Sequence, residues 1–246
     1  MTSAALSVRG VDHGYPIRLG LARSAVLRAL DLDLSRGRTL GLAGPNGSGK
    51  STLLRLAAGI DRPVRGTVAV LGGSPGDPAI RARVGYLPED ANFPRELTLS
   101  GALRLFGVLQ GLPRKDAIAR GAALLARVGL ERHAHTTLAR CSRGMIKRFG
   151  LAQAWLHTPD LILLDEPTAG LDALGFEVLN DLLGEARRRG AAVVLASHVL
   201  SDLSERCDHV AVLFEGRMAE YGTPREVLEG TSLSDIYRRH AARPRT

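Results

Sequence analysis

The 246-residue chain is 45% hydrophobic and carries 33 Lys and Arg against 25 Asp and Glu, a net charge of +8. That length and apolar content can bury a sizeable core, which excludes a disordered tail or a fibre, and no apolar run approaches the roughly 18 residues of a membrane-spanning helix. The positive balance admits nucleic acid, phospholipid headgroups or a nucleotide as partners without choosing among them, while two cysteines, Cys141 and Cys207, are too few for a disulfide framework, lack metal-ligand spacing and fit a reducing compartment.

The N-terminal residues 1–9 show no charged region followed by an apolar one, so a cytosolic chain is expected. Leu6–Val11 alternates like a strand, and Asp12–Pro16 reads as a turn that exposes Tyr15, a candidate to stack on a base. The segment from Ile17 to Arg28 is irregular and receives no assignment. Ala29–Leu34 alternates again, with Leu30, Leu32 and Leu34 on one face, and Arg36-Gly37 turns into the apolar run Thr39–Ala43, read as a buried strand. The next nine residues, Gly44-Pro45-Asn46-Gly47-Ser48-Gly49-Lys50-Ser51-Thr52, fit the pattern G-x-x-x-x-G-K-[ST] at every fixed position. Glycines there let consecutive N–H groups turn inward around a polyphosphate, and Lys50 supplies a point charge. A helix over Ser51–Ala58 places its positive end at the anion. Ser51, with Thr52 beside it, brings a hydroxyl near a Mg²⁺ that bridges the β- and γ-phosphates.

Residues 66–71 read as a strand, 72–78 as a loop, and Val84–Leu87 as a short strand running into Pro88-Glu89. From Leu97 to about Trp155 the period becomes helical, with Leu99, Ala102, Leu103 and Phe106 on one stripe and a further helix through Ala122–Val128. This reads as a helical lobe set into an α/β core. The core resumes at Leu161–Asp165, an apolar strand ending on adjacent carboxylates. Asp165 suits a hard cation through its water shell, and Glu166, pointing the other way, suits a general base on water. Residues 191–197 form another buried strand that ends on His198, which by itself is as suited to capping or packing as to chemistry. Leu200–Arg206 reads as a helix, His209–Phe214 and Arg217–Tyr221 as a strand pair about Glu215-Gly216, and Ser234–Ala242 as a terminal helix, with the basic stretch Tyr237–Thr246 a solvated, frayed end.

Together the phosphate loop, Leu161–Glu166, Cys141-Ser142-Arg143-Gly144-Met145 with the helix after it, Ala169-Gly170-Leu171-Asp172 and Ser197-His198 resemble, in order and spacing, the ATP-binding subunit of ABC transporters, from about Leu6 to Tyr221. The resemblance implies a P-loop NTPase α/β fold, a RecA-like mixed-sheet core with an antiparallel β edge spanning Leu6 to Leu34, and an inserted helical subdomain. One domain is implied: core at about 1–96 and 158–225, helical subdomain at about 97–157, helical tail at about 226–246. It further implies ATP and Mg²⁺ as ligands, with Tyr15 on adenine, residues 44–52 and Lys50 on the triphosphate, Ser51 and Asp165 on the metal, Glu166 as base and His198 on the γ-phosphate. Ser142 and Gly144 are implied to reach the nucleotide of a second ATPase subunit, and Asp172 to communicate across that dimer. Separate membrane permease subunits are implied as partners, holding the chain at the cytoplasmic face of the membrane, with no nucleic acid expected. Phe93, Pro94, Leu97 and Phe106 are candidates to line the groove that receives a permease helix, against a plain reading of Leu97 and Phe106 as helix core.

Two departures from the family pattern stand out. Glu89 occupies the place of the usual glutamine, keeping an oxygen for metal or water while adding negative charge beside a triphosphate, and Cys141–Met145 replaces the usual Leu-Ser-Gly-Gly-Gln. These variants and the short stretch after Tyr221 look most like ATPases of bacterial ABC-2-type exporters, with a fainter likeness to the ATPase serving copper-enzyme maturation in denitrifiers. A solute importer subunit shares all this chemistry and is the nearest rival. Family members acting on chromosomes carry a long coiled coil between the two nucleotide motifs, and none is written here. Those acting in translation usually carry two sets of motifs, and this chain has one.

Overall fold

The computed structural model describes residues 4–17, 22–228 and 233–241. Two sheets form its frame. The larger has six strands in the order β5 (Val84–Leu87), β6 (Leu161–Asp165), β7 (Ala192–Ser197), β3 (Thr39–Ala43), β8 (His209–Phe214) and β9 (Arg217–Gly222). All neighbours are parallel except β8 and β9, so the antiparallel edge of the mixed sheet is β9. The expected edge from Leu6 to Leu34 is instead a separate antiparallel sheet, β2 (Ala22–Ser35), β1 (Ala4–Ile17) and β4 (Arg65–Val70).

The N-terminal hairpin corrects the sequence reading twice. Asp12–Pro16 is strand rather than turn, and of the unassigned residues 17–28 all but 18–21, which lie outside the described residues, belong to β1 or β2. The alternation that marks a strand is broken by irregular register between Val8 and Val11, Val11 and His13, and His13 and Gly14, and by left-handed Ala29 at φ 45°. Gly14 is forced by closeness: a Cβ there would stand 2.4 Å from the Ser24 carbonyl oxygen.

Parity along the strands builds two cores. Leu161 and Leu163 of β6 face a cluster with Leu40 and Leu42 of β3, Leu53, Leu54 and Leu56 of α1 (Lys50–Ala57), and Leu6, Val8, Leu30, Leu32 and Leu34 of the antiparallel sheet. α1 is thereby held between the sheets. Ile162 and Leu164 face the opposite side, where α3 (Leu99–Leu109), α4 (Arg114–Arg127), α5 (Arg143–Trp155) and α6 (Ala173–Arg188) pack around fully buried Phe149. The helical lobe therefore shares its core with the sheet. Phe93, Leu97 and Phe106 are half-buried against it, with Phe93 edge-on to Phe149 at 4.9 Å and 6.0 Å from Phe106, while Pro94 is exposed. A third cluster joins Val210 and Val212 of β8 to Leu203 of α7 (Leu200–Arg206), Val227 of α8 (Pro224–Leu228) and Ile236 of α9 (Leu233–Ala241).

α9 starts one residue before the expected helix, and Ala242 lies outside the described residues. The stretch from Tyr237 is not frayed where it is described: Tyr237 stacks on Phe214 at 5.3 Å. The short α2 (Pro78–Arg81), capped by Asp77, and α6 had no counterpart in the sequence reading, and α4 begins eight residues before the Ala122 expected for it.

Candidate functional site

β3 ends at Ala43 in the middle of the parallel sheet, and the loop to α1 follows at the carboxyl end of the strands, where α/β sheets bind ligands. Gly49 caps α1 at φ 107°. A side chain there would be strained by the backbone, and its Cβ would stand 2.5 Å from Leu27. The Lys50 ammonium folds back to donate to the Gly44 carbonyl at 2.7 Å and the Pro45 carbonyl at 3.3 Å, and the Pro45 carbonyl also accepts from the Ser48 N–H at 3.1 Å.

The same parity that sends Leu161 and Leu163 toward α1 sends Asp165 there, where the Ser51 side chain favours its ionised form. Glu166 follows in a left-handed backbone, φ 45°, its N–H held by the Ala196 carbonyl at 2.9 Å. A non-glycine residue at such an angle is strained by about 1–2 kcal/mol, which is characteristic of functional positions. Phosphate loop and carboxylates meet in a cavity of about 160 Å³ whose walls include Asn46, Gly47, Gly49, Lys50, Ser51, Thr52, Glu89, Asp165 and Glu166. Val26 of β2 also lines it, a residue of the segment 17–28 that no sequence pattern marks.

Charge is unbalanced there. Glu89, Asp165 and Glu166 face one lysine. Burial is the main influence on both central groups: it pushes the Asp165 carboxyl above its ordinary range, helped by Glu89 and Glu166 and opposed by Ser51 and Lys50. It pushes the Lys50 ammonium below its ordinary range against the pull of Glu166, Asp165 and Glu89. Asp165 Oδ1, Glu166 Oε2 and Ser48 Oγ are buried without a hydrogen-bond partner. His198 Nδ1 approaches Glu166 Oε2 to 2.9 Å, but off the line of a hydrogen bond, so the oxygen has a neighbour and no donor. Buried oxygens of this kind call for an external partner. Ser51 and Asp165 supply hard oxygen donors suited to Mg²⁺, with Glu89 beside them. Among the described residues no cluster of three or more His, Cys, Asp or Glu forms a closed protein metal cage, so a cation here would keep water or phosphate oxygens in its shell.

Tyr15 lies at the rim. Its hydroxyl donates to Asp61 Oδ2 at 3.1 Å and sits 3.4 Å from Thr52 Oγ1, while His13 meets its ring edge-on at 5.1 Å. Asp61 is clamped in turn by two bonds from Arg55, at 2.7 and 3.0 Å. This network escaped the sequence reading, because it joins β1 to α1 across the antiparallel sheet.

Three expected residues stand apart from the cavity. Ser142 caps α5, its hydroxyl accepting from the Met145 N–H at 3.2 Å. Asp172 caps α6, accepting from the Gly175 N–H at 2.8 Å, with its second oxygen 3.8 Å from Arg148. Gly144 faces Gly170 and Asp172. A groove of about 590 Å³ runs beside them, lined by Cys141, Arg143, Ile146, Lys147, Gly170 and the Glu89 side of the cavity. Cys207 is half-buried and its thiol is pushed up to about 12, chiefly by desolvation, and the Cys141 thiol is raised the same way, so both are poor nucleophiles.

Comparison with known proteins agrees with this geometry. The family model described as ABC transporter matches residues 27–169. An uncharacterized ABC transporter ATP-binding protein of Synechocystis sp. is 36% identical over 204 residues, covering 82% of this chain and 58% of its own length. The Nod factor export ATP-binding protein I of Ralstonia nicotianae is 32% identical over 237 residues, covering 94% of this chain and 72% of its own. Thus this chain spans less than two thirds of some curated relatives. A solved ATP-binding subunit of an ABC transporter superposes with a TM-score of 0.85 at 31% identity, covering 96% of this chain and 99% of that one. With phosphate loop, paired carboxylates and fold in agreement, the chain belongs to the ABC transporter ATP-binding family.

Proposed function

We propose that this chain is the ATP-hydrolysing motor of a bacterial ABC-2-type exporter, a single ABC ATPase domain that dimerises on ATP and drives a separate membrane permease from the cytoplasmic face. The observation that carries the chemistry is the meeting, in one small cavity, of the glycine-rich loop, Lys50, and two carboxylates with unpartnered buried oxygens. The loop N–H groups and Lys50 hold the β- and γ-phosphates, and Tyr15 offers its ring to adenine. Ser51 and Asp165 are the residues to hold Mg²⁺, which supplies charge neutralisation at the phosphates. Glu166 takes a proton from water as the water oxygen bonds to the γ-phosphorus and the bond to the bridging oxygen breaks, leaving ADP and phosphate. His198, beside Glu166, contacts the γ-phosphate from the exposed rim.

Ser142 and Gly144 lie outside the cavity of their own chain, which supports contact with the nucleotide of a second copy or homologue. No helix among the described residues is long and apolar enough to cross a membrane, which fits a motor that works on separate spanning subunits. The Ralstonia relative is named for Nod factor export, which supports the exporter reading. The test is to tag the chain, trap it with ATP as the Glu166→Gln variant, solubilise membranes gently and identify what co-purifies. A polytopic membrane protein of ABC-2 type is the expected result. Recovery only from the soluble fraction, with nucleic acid or ribosomes attached, would overturn the proposal.

A further inference from the structure

One cation of the catalytic region has no part in the chemistry above. Lys147, in α5 five residues after Ser142, is 9% exposed, and its ammonium donates to the main-chain carbonyl of Glu89 at 3.4 Å. The carboxylates that act on it electrostatically are Asp165, Glu89, Glu166 and Asp90. Lysine is almost never fully buried without a charge partner, and one long bond to a neutral carbonyl does not compensate an ammonium withdrawn from water. Compensation comes from these carboxylates together with solvent in the groove that Lys147 lines. The relation works in reverse too: Glu89, in the place of the family's glutamine, adds a negative charge to a cavity that already holds Asp165 and Glu166 against Lys50 alone, and an arriving triphosphate brings more.

We infer that Lys147 is the counter-charge for Glu89 and a positioning residue for the triphosphate, cancelling the charge that Glu89 adds and tying α5, the helix that begins behind Ser142, to the catalytic cavity. The inference rests on the nucleotide-site reading. Because Ser142 is proposed to touch the partner's nucleotide, the N-terminal turns of α5 would lie against the carboxylates of their own site through Lys147 and against the partner's phosphate through Ser142. Glu89 and Lys147 are joined through a main-chain oxygen as well as through charge, and the two roles separate cleanly. Glu89→Gln removes the charge and keeps the carbonyl.

The experiment is a double-substitution cycle on the full chain, reading equilibrium binding of a fluorescent ATP analogue with Mg²⁺ and with EDTA, and the KM and kcat of hydrolysis. Lys147→Met is expected to weaken binding about tenfold and to raise KM more than it lowers kcat. The same change combined with Glu89→Gln is expected to bind within about threefold of Glu89→Gln alone. Lys147→Arg, which keeps the charge, is expected to stay near wild type. Thermal unfolding checks the fold of each variant, and Lys147→Gln replaces Lys147→Met in the cycle if the latter does not fold. A loss of binding that is equal with and without Glu89→Gln would show Lys147 to be only a tether or packing residue and would overturn the inference. Failure of the wild type itself to bind the analogue would overturn the nucleotide reading instead.

Discussion

Substitutions at Glu166 separate two things that meet in one residue, the proposed base and a strained backbone. Its side chain is 5% exposed and faces Lys50 and Asp165 in the cavity. Glu166→Gln keeps the shape and the left-handed φ of 45° but cannot accept a proton. Loss of a positioned general base lowers a rate about 10²- to 10⁴-fold, or about 3–5 kcal/mol of barrier, and should leave ATP binding intact, so that an ATP-bound dimer accumulates. Glu166→Ala and Glu166→Gly both lose the carboxylate, but only glycine accepts the backbone angle freely. After its greater unfolded-state freedom is set against about 1–2 kcal/mol of relieved strain, the glycine variant should be the more stable by up to about 1 kcal/mol, or about 2–4 °C in midpoint for a chain of this size. Phosphate release measures the first effect, light scattering with ATP the dimer, and thermal unfolding without nucleotide the second. Hydrolysis by Glu166→Gln within about threefold of wild type would place the base elsewhere. Equal midpoints for alanine and glycine would remove strain from the account.

Asp165→Asn should stabilise the nucleotide-free chain near neutral pH. Its carboxyl is raised on folding, chiefly by burial, so its contribution is fully present below the ordinary carboxylate value and is lost as pH rises through the raised one; midpoints measured against pH should show the variant's advantage vanish in acid, and a lower midpoint at neutral pH would refute this. Lys50→Met removes a charged donor from the phosphates and should weaken ATP binding about 10- to 100-fold, as loss of a hydrogen bond to a charged group does, with unchanged affinity as the refuting result. Asp172→Ala deletes the cap on α6 and should cost about 1 kcal/mol in thermal unfolding of the nucleotide-free protein, separately from any effect on dimerisation; an unchanged midpoint would show the cap to be idle.

The parts of this molecule legible in one dimension are those where chemistry and period coincide. β3 and β6 span the residues read from the sequence because each is an apolar run bounded by a turn, and each delivers its motif at the carboxyl end. The parity of β6 then fixes which carboxylate faces α1. What stayed hidden depended on distance across the fold. β1 and β2 are blurred by four breaks in register and by left-handed Ala29, so Val26 is invisible in sequence as a cavity residue. Arg55, Asp61 and Tyr15 belong together only after β1 lies over α1. Lys147 carried one faint signal, a lysine directly before residues 148–155 whose apolar members are nearly all buried, but its meaning required Glu89 to be brought beside it.

The unbound site is assembled from features that each work against the folded state. Asp165 is buried and raised, Lys50 is buried and lowered, Glu166 sits at a left-handed angle, and three polar oxygens lack partners. A triphosphate answers the lysine and the loop N–H groups, and a cation answers the carboxylates, so a ligand binds the native chain at the places where folding left interactions unmade. Such binding adds stability in proportion to occupancy, about 2.7 kcal/mol at a hundredfold excess over the dissociation constant. The two caps extend this logic to the proposed dimer. Ser142 and Asp172 are fixed by hydrogen bonds to their own helices before any partner arrives, so closure on ATP need not first order the α5 and α6 termini. On this reading hydrolysis withdraws the γ-phosphate from a surface already built, and release of the dimer follows from the loss of that one ligand group rather than from refolding of either face.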